Sequence, residues 1–191
     1  MKSILILLIG ATLTPTCYSQ GVFTNDVNAA LQKVIQDYPN HFINIKGAQV
    51  TGSPRTGQYY STVEVPGSVN CVLTRYAATK KEIYSWNCVI LESQKFTEAK
   101  NKFIELYNQI RNSIVKIEGE KPFILNGKYE MPTDDKKLTS VVFQLLPATG
   151  QMQKLKVELT LQQTNDDWTL ALAVYDEERK NGQQVVRFDS Y

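Results

Sequence analysis

The stretch Asn70 to Cys88, NCVLTRYAATKKEIYSWNC, carries the dipeptide Asn-Cys at the outer ends of two β-branched and aromatic runs, with a polar stretch between them. Runs of this kind read as the two strands of a hairpin. Centring the turn between Thr79 and Lys80 sets Cys71 opposite Cys88, Leu73 opposite Trp86 and Arg75 opposite Tyr84. Directly opposed residues of an antiparallel pair have Cα atoms about 4.5 to 5.5 Å apart, inside the range a disulfide tolerates. A Cys71–Cys88 bridge is the expectation, and in the chain-entropy model it stabilises by about 3 kcal/mol. The competing reading is a slipped register, or two unpaired strand cysteines. A redox role is not expected, because a reactive low-pKa thiol usually sits in a Cys-x-x-Cys arrangement.

The only other cysteine, Cys17, belongs to an N-terminus that reads as a targeting signal. Met1-Lys2-Ser3 is a short cationic start, and Ile4 to Leu13 is an apolar run too short to span a bilayer. Cys17-Tyr18-Ser19 then offers small residues for cleavage before Gln20. Residues 1–19 are therefore read as a signal peptide that is removed, with 20–191 as a single domain. Lipidation of Cys17 is the alternative, which Thr14-Pro15-Thr16 suits poorly. Both readings export the chain, to the periplasm or beyond, from a bacterium. An oxidising compartment is also where two remaining cysteines pair.

Charge narrows the partners. Lys and Arg number 21 against 19 Asp and Glu, and the lysines are spread out. Nucleic-acid binding needs a concentrated basic stripe, so none is expected. No stretch after the signal is apolar and long enough for a transmembrane helix.

Helical spacing predicts a first helix from Asn25 to Tyr38, closed by Pro39, and a second from about Ser93 or Thr97 to Ile117. Strands are expected within HFINIKGAQV (from His41), at Gln58–Val65, along the cysteine hairpin, and at Leu138–Leu146, Leu155–Gln162 and Trp168–Tyr175. PFILNGKYEM (from Pro122) looks extended around an Asn-Gly turn, and Asn181-Gly182 suggests a last hairpin over 172–189. The fold class is α+β, an antiparallel β-sheet covered on one face by two helices. A finer reading makes it a duplicated αβββ unit, with repeats at 24–92 and 93–176. This frame lays Tyr84 on Trp168, Glu92 on Asp176 and Cys71 on Leu155. In element order the tandem α-then-β units look similar to the β-lactamase inhibitory protein type of exported binder. The likeness covers layout alone; no residue motif matches, and no site residue is carried over from it.

Chemistry is sparse. The only histidine, His41 in YPNHF, reads as a loop residue at a helix end, and no Gly-x-Ser-x-Gly elbow accompanies it. One His and two bridged Cys do not make a four-ligand metal set, and phosphate-cradling glycine motifs are missing from the sequence. No metal or cofactor is therefore expected. Asp134-Asp135, Asp166-Asp167 and Asp176-Glu177-Glu178 are the carboxylate candidates; each has a turn or cross-strand explanation, Asp176 by pairing with Arg187. Tyr84, Trp86 and Trp168 read as core rather than ligand surface. The loop TGSPRTG and its flank offer Arg55, Tyr59 and Tyr60 as a contact surface, since Tyr and Arg are enriched at binding hot spots. The functional expectation is an exported binding or interaction protein without catalytic activity, its partner another envelope or secreted protein. The alternatives are a periplasmic carrier of a small apolar ligand, held between sheet and helices, and a hydrolase built on two carboxylates.

Overall fold

The computed structural model describes residues 26–50, 57–77 and 82–177. The expected signal and Cys17, Arg55 with the rest of loop 51–56, the turn 78–81 and the tail from 178 with Arg187 lie outside the described residues.

The described residues contain two α-helices, three short 3-10 turns and nine strands, all strand pairs being antiparallel. Helix α1 (Asp26–Asp37) is followed by strands β1 (Lys46–Gln49), β2 (Gly57–Ser61), β3 (Asn70–Ala77) and β4 (Glu82–Ser93). Helix α2 (Phe96–Ile110) is followed by β5 (Ile114–Val115), β6 (Phe123–Gly127), β7 (Leu138–Leu146), β8 (Leu155–Thr164) and β9 (Asp167–Asp176). They join in one sheet of order β1-β2-β3-β4-β9-β8-β7-β6-β5, so the last strand after each helix meets the other at the centre. Each helix is thus followed by more than the three strands of an αβββ unit.

The hairpin register is the expected one. Cys71 faces Cys88, Leu73 faces Trp86 and Arg75 faces Tyr84, and the two cysteines form a disulfide. Period-two alternation then lines apolar side chains into rows across the sheet. One row runs Phe143, Val157, Val174, Trp86 and Leu73, and the next runs Val141, Leu159, Leu172, Cys88 and Cys71. Every one of these is buried in the main core cluster. Helix α2 packs against β4, β8 and β9, and α1 packs against α2. Their buried residues, among them Leu31, Val34, Phe103, Leu106 and Ile110, belong to the same cluster. Trp86 has no exposed surface, and its indole N–H donates to Ser61 Oγ at 3.0 Å. A buried Trp requires such a partner.

Four expectations are corrected, the first being the strand Gln58–Val65, which ends at Ser61. The second helix stops at Ile110, because Asn112 takes a left-handed φ of 62° and the β-branched pair Ile114-Val115 joins the sheet edge against β6. Ile114 and Ile117 are therefore off the helix. Asn126-Gly127 forms no turn but ends β6, with Gly127 facing Phe143. A Cβ on Gly127 would lie 2.7 Å from the Phe143 ring, so close approach rather than turn geometry calls for glycine there. Within HFINIKGAQV, only Lys46–Gln49 is strand; the preceding residues make tight 3-10 turns. The turn at TNDDW is as expected, with Asn165 and Asp166 both at positive φ, as a two-residue type I′ hairpin requires.

Candidate functional site

The site begins where α1 ends. Pro39 cannot continue the α-helix and opens a 3-10 turn over Tyr38–Asn40. His41 and Phe42 then both take left-handed conformations, with φ of 55° and 59°. Each such non-glycine residue costs about 1–2 kcal/mol. The buried carboxylate of Asp37 holds this strained bend. Its Oδ2 accepts from the backbone N–H of Asn44 at 2.9 Å and of Ile45 at 3.3 Å, and its Oδ1 accepts from the side-chain amides of Asn44 and Asn40. Phe42 adds an apolar anchor, being almost fully buried and edge-on to Tyr38 with ring centroids 6.0 Å apart. The consequence is that His41, next to this anchor, is turned outward and exposed. Strain of this kind clusters at functional sites.

That bend forms one wall of a cleft of about 590 Å³ at the end of the sheet, where β4 and β8 begin and β9 finishes. Tyr84 on β4 contributes a half-buried ring whose centroid lies 6.1 Å from that of His41. Asp176, the last residue of β9, is buried and accepts a hydrogen bond from the Tyr38 hydroxyl at 2.8 Å. This bond ties the helix end to the end of the central strand. The opposite wall is the 3-10 turn Gly150–Lys154, which presents Gln151, Gln153 and Lys154. Met152, buried beneath it, and a bond from the Gln153 amide to Ala148 O at 3.2 Å fix the turn. Behind this wall Lys156 Nζ donates to Gln153 O at 3.2 Å and pairs with Glu177 at 3.3 Å.

Among the described lining residues there is no serine, threonine or cysteine, and Asp176 is the single carboxylate. The other acidic candidates are dispersed. Asp134 and Asp135 occupy a loop before β7, and Asp166 sits in the β8–β9 turn with Asp167 starting β9. The Asp135 carboxyl is held below its ordinary range, chiefly by a hydrogen bond from the Thr133 side chain. Among the described residues no cluster of three or more His, Cys, Asp or Glu is placed to hold a metal ion, and no helix is long and apolar enough to cross a membrane.

Of the residues picked from the sequence as a contact surface, Tyr59 and Tyr60 are adjacent on β2 and alternate to opposite faces. Tyr59 pairs with Leu73 on the core side and lies under Lys46 Nζ, 4.5 Å from its ring centroid. Tyr60 pairs with Val72 and is 53% exposed. Trp86 and Trp168 are core, as expected, with the Trp168 ring tilted against Phe96 at a centroid distance of 4.8 Å. Tyr84, His41 and Asp176, each given a structural reading from the sequence, line the cleft with Tyr38 and Gln151; His41 is the loop residue at a helix end that was expected, and the Asp176–Arg187 pairing lies outside the described residues. The local sign was a Pro-Asn-His run straight after an amphipathic helix, which marks a bend able to adopt left-handed backbone. A separate exposed apolar row crosses the sheet edge through the paired residues Ile114, Ile124 and Leu146.

No protein-family model, curated protein or solved structure matches the chain.

Proposed function

We propose that this chain is an exported binding protein of the bacterial envelope or its surroundings, without catalytic activity, and that the cleft at the end of the sheet is its recognition site. The observation that carries the reading is the convergence of Tyr38 and His41, both from the bend after α1, with Tyr84 of β4 on an open cleft, the bend being held in strained backbone by Asp37. Ligand sites are concave, lined by aromatic and apolar groups with a few placed polar ones. The Cys71–Cys88 disulfide supports an oxidising compartment, and cleavage near Gln20 is the mature start this reading uses. The apolar-carrier alternative gains little, because the layer between α2 and the sheet is filled by Phe103, Ile110, Leu159 and Leu172, each without exposed surface.

Two finer features of the fold accompany this reading: both helices cover the same face of the sheet, and the chain descends from a duplicated unit. Contacts of α2 with β4, β8 and β9 support the first. In favour of the second, the frame that lays Tyr84 on Trp168 also lays Cys88 on Leu172, and these two face each other in the central pair, as a two-fold relation demands. Carried through the hairpin registers, that frame lays Cys71 on Leu159 rather than Leu155.

Affinity capture tests the proposal. Oxidised protein is used as bait against envelope extract and culture supernatant of its own organism, beside the His41→Ala/Tyr84→Ala double variant and a Tyr60→Ala variant. A bound species lost with the double variant and kept with Tyr60→Ala is the expected result. Loss with Tyr60→Ala alone would move the site to the face of β2.

A further inference from the structure

We infer that the ligand of the cleft is a neutral sugar ring, with its C–H face on Tyr84 and its hydroxyls on the wall formed by Gln151 and Lys154 and on Asp176. The inference rests on the cleft being the recognition site. The lining combines aromatic faces with groups of opposite hydrogen-bonding sense. The Gln151 amide both donates and accepts, the Lys154 ammonium only donates, and the Asp176 carboxylate, which already accepts from Tyr38, only accepts. A ligand that meets all three must carry donors and acceptors side by side around an apolar face. Hydroxyl groups on a saturated ring do this, since each hydroxyl donates and accepts while the ring C–H bonds present an apolar surface.

Competing chemistries fit less well. A lipid tail calls for a wall that is apolar throughout, and here the Gly150–Lys154 turn is exposed and polar except for buried Met152. An anion would meet Asp176 as well as Lys154, and the two charges offset each other. A cation drawn to the aromatic faces would meet Lys154. The cleft volume of about 590 Å³ lies within the ordinary range of small-molecule sites, about 300–1,000 Å³, and admits more than one ring.

The test is an NMR amide-shift titration of the intact oxidised protein with cellobiose, maltose and diacetylchitobiose, together with co-sedimentation on insoluble chitin and on peptidoglycan sacculi. The expected result is saturable binding of one sugar class that shifts the amides of His41, Tyr84 and Gln151. Tyr84→Ala and Gln151→Ala should each weaken it at least tenfold with the unfolding midpoint kept. Binding of the soluble sugar identifies a free saccharide as sufficient, and sedimentation with no soluble binding identifies the polymer, in which case the same two variants must abolish it. No binding to any soluble or insoluble glycan overturns the inference, as does sugar binding that leaves the cleft amides unmoved. A captured non-glycan species that still depends on Tyr84 would overturn the sugar and leave the cleft standing. Variants that change neither capture nor titration would remove both.

Discussion

Tyr84 and Trp86 lie two positions apart on β4 and project to the same side of the strand, yet they belong to different parts of the molecule. Trp86 faces Leu73 and Val174, has no exposed surface and donates its N–H to Ser61. Tyr84 faces Arg75, is half-buried, and shares its open side with His41. The difference comes from what stands above each residue. Over Trp86 there is packed core, and beside Tyr84 there is a bend whose backbone is held left-handed by Asp37. One aromatic is therefore part of the core, and its neighbour lines the cleft proposed as the recognition site.

Breaking the core member should have the largest effect. Trp86→Ala is expected to destabilise by about 3–5 kcal/mol, the range for truncating a large buried aromatic, with Ser61 Oγ losing the indole donor and keeping the Val63 N–H. Urea denaturation checks this, and a loss under about 1 kcal/mol, the scale of surface substitutions, would mean the row is not the core. Next in size is the disulfide one row away. Replacing Cys71 and Cys88 by alanine together should cost about 3 kcal/mol, read as a lower urea midpoint without a change in cleft binding; equal midpoints would show that the strands hold register unaided.

Breaking the cleft member should invert the pattern. Tyr84→Ala is expected to cost about 1 kcal/mol of stability, the centre of the distribution for point variants, while weakening ligand binding tenfold or more. The smallest effect lies far from both. In Thr133→Ala the Asp135 carboxyl should titrate closer to its ordinary range, since its lowered pKa depends first on the Thr133 hydrogen bond. A depressed carboxyl stabilises the fold above its unfolded pKa and loses that contribution as pH falls through the folded value. The variant should therefore show slightly less acid dependence, with no change at pH 7 in the cleft; carboxyl-carbon NMR titration reads it, and an unmoved Asp135 would contradict it.

The stapled hairpin was legible from sequence because its information is local: two strands, one turn and mirrored cysteines. Strands β7, β8 and β9 were legible for the same reason, through alternation and the Asn165-Asp166 turn. The end of α2 was not, since Ile114 and Ile117 keep helical spacing although the chain has already turned at Asn112. The cleft was hidden for a different reason. Tyr38, Tyr84, Gln151 and Asp176 come together only through the sheet order that brings β4 beside β9 and β9 beside β8. Periodicity gives Tyr84 the same face as Trp86, so on pattern alone both read as core. His41 is turned outward by two successive left-handed residues, a conformation its own residue type does not announce.

The most direct test of the account is to measure affinity and unfolding midpoint together on Tyr84→Ala and Trp86→Phe, using the species captured by the unaltered protein. The account predicts that Tyr84→Ala loses binding at a near-normal midpoint, and that Trp86→Phe keeps binding at a lowered one. Full binding by Tyr84→Ala, or a collapse of its fold, would contradict the assignment of recognition to this end of the sheet.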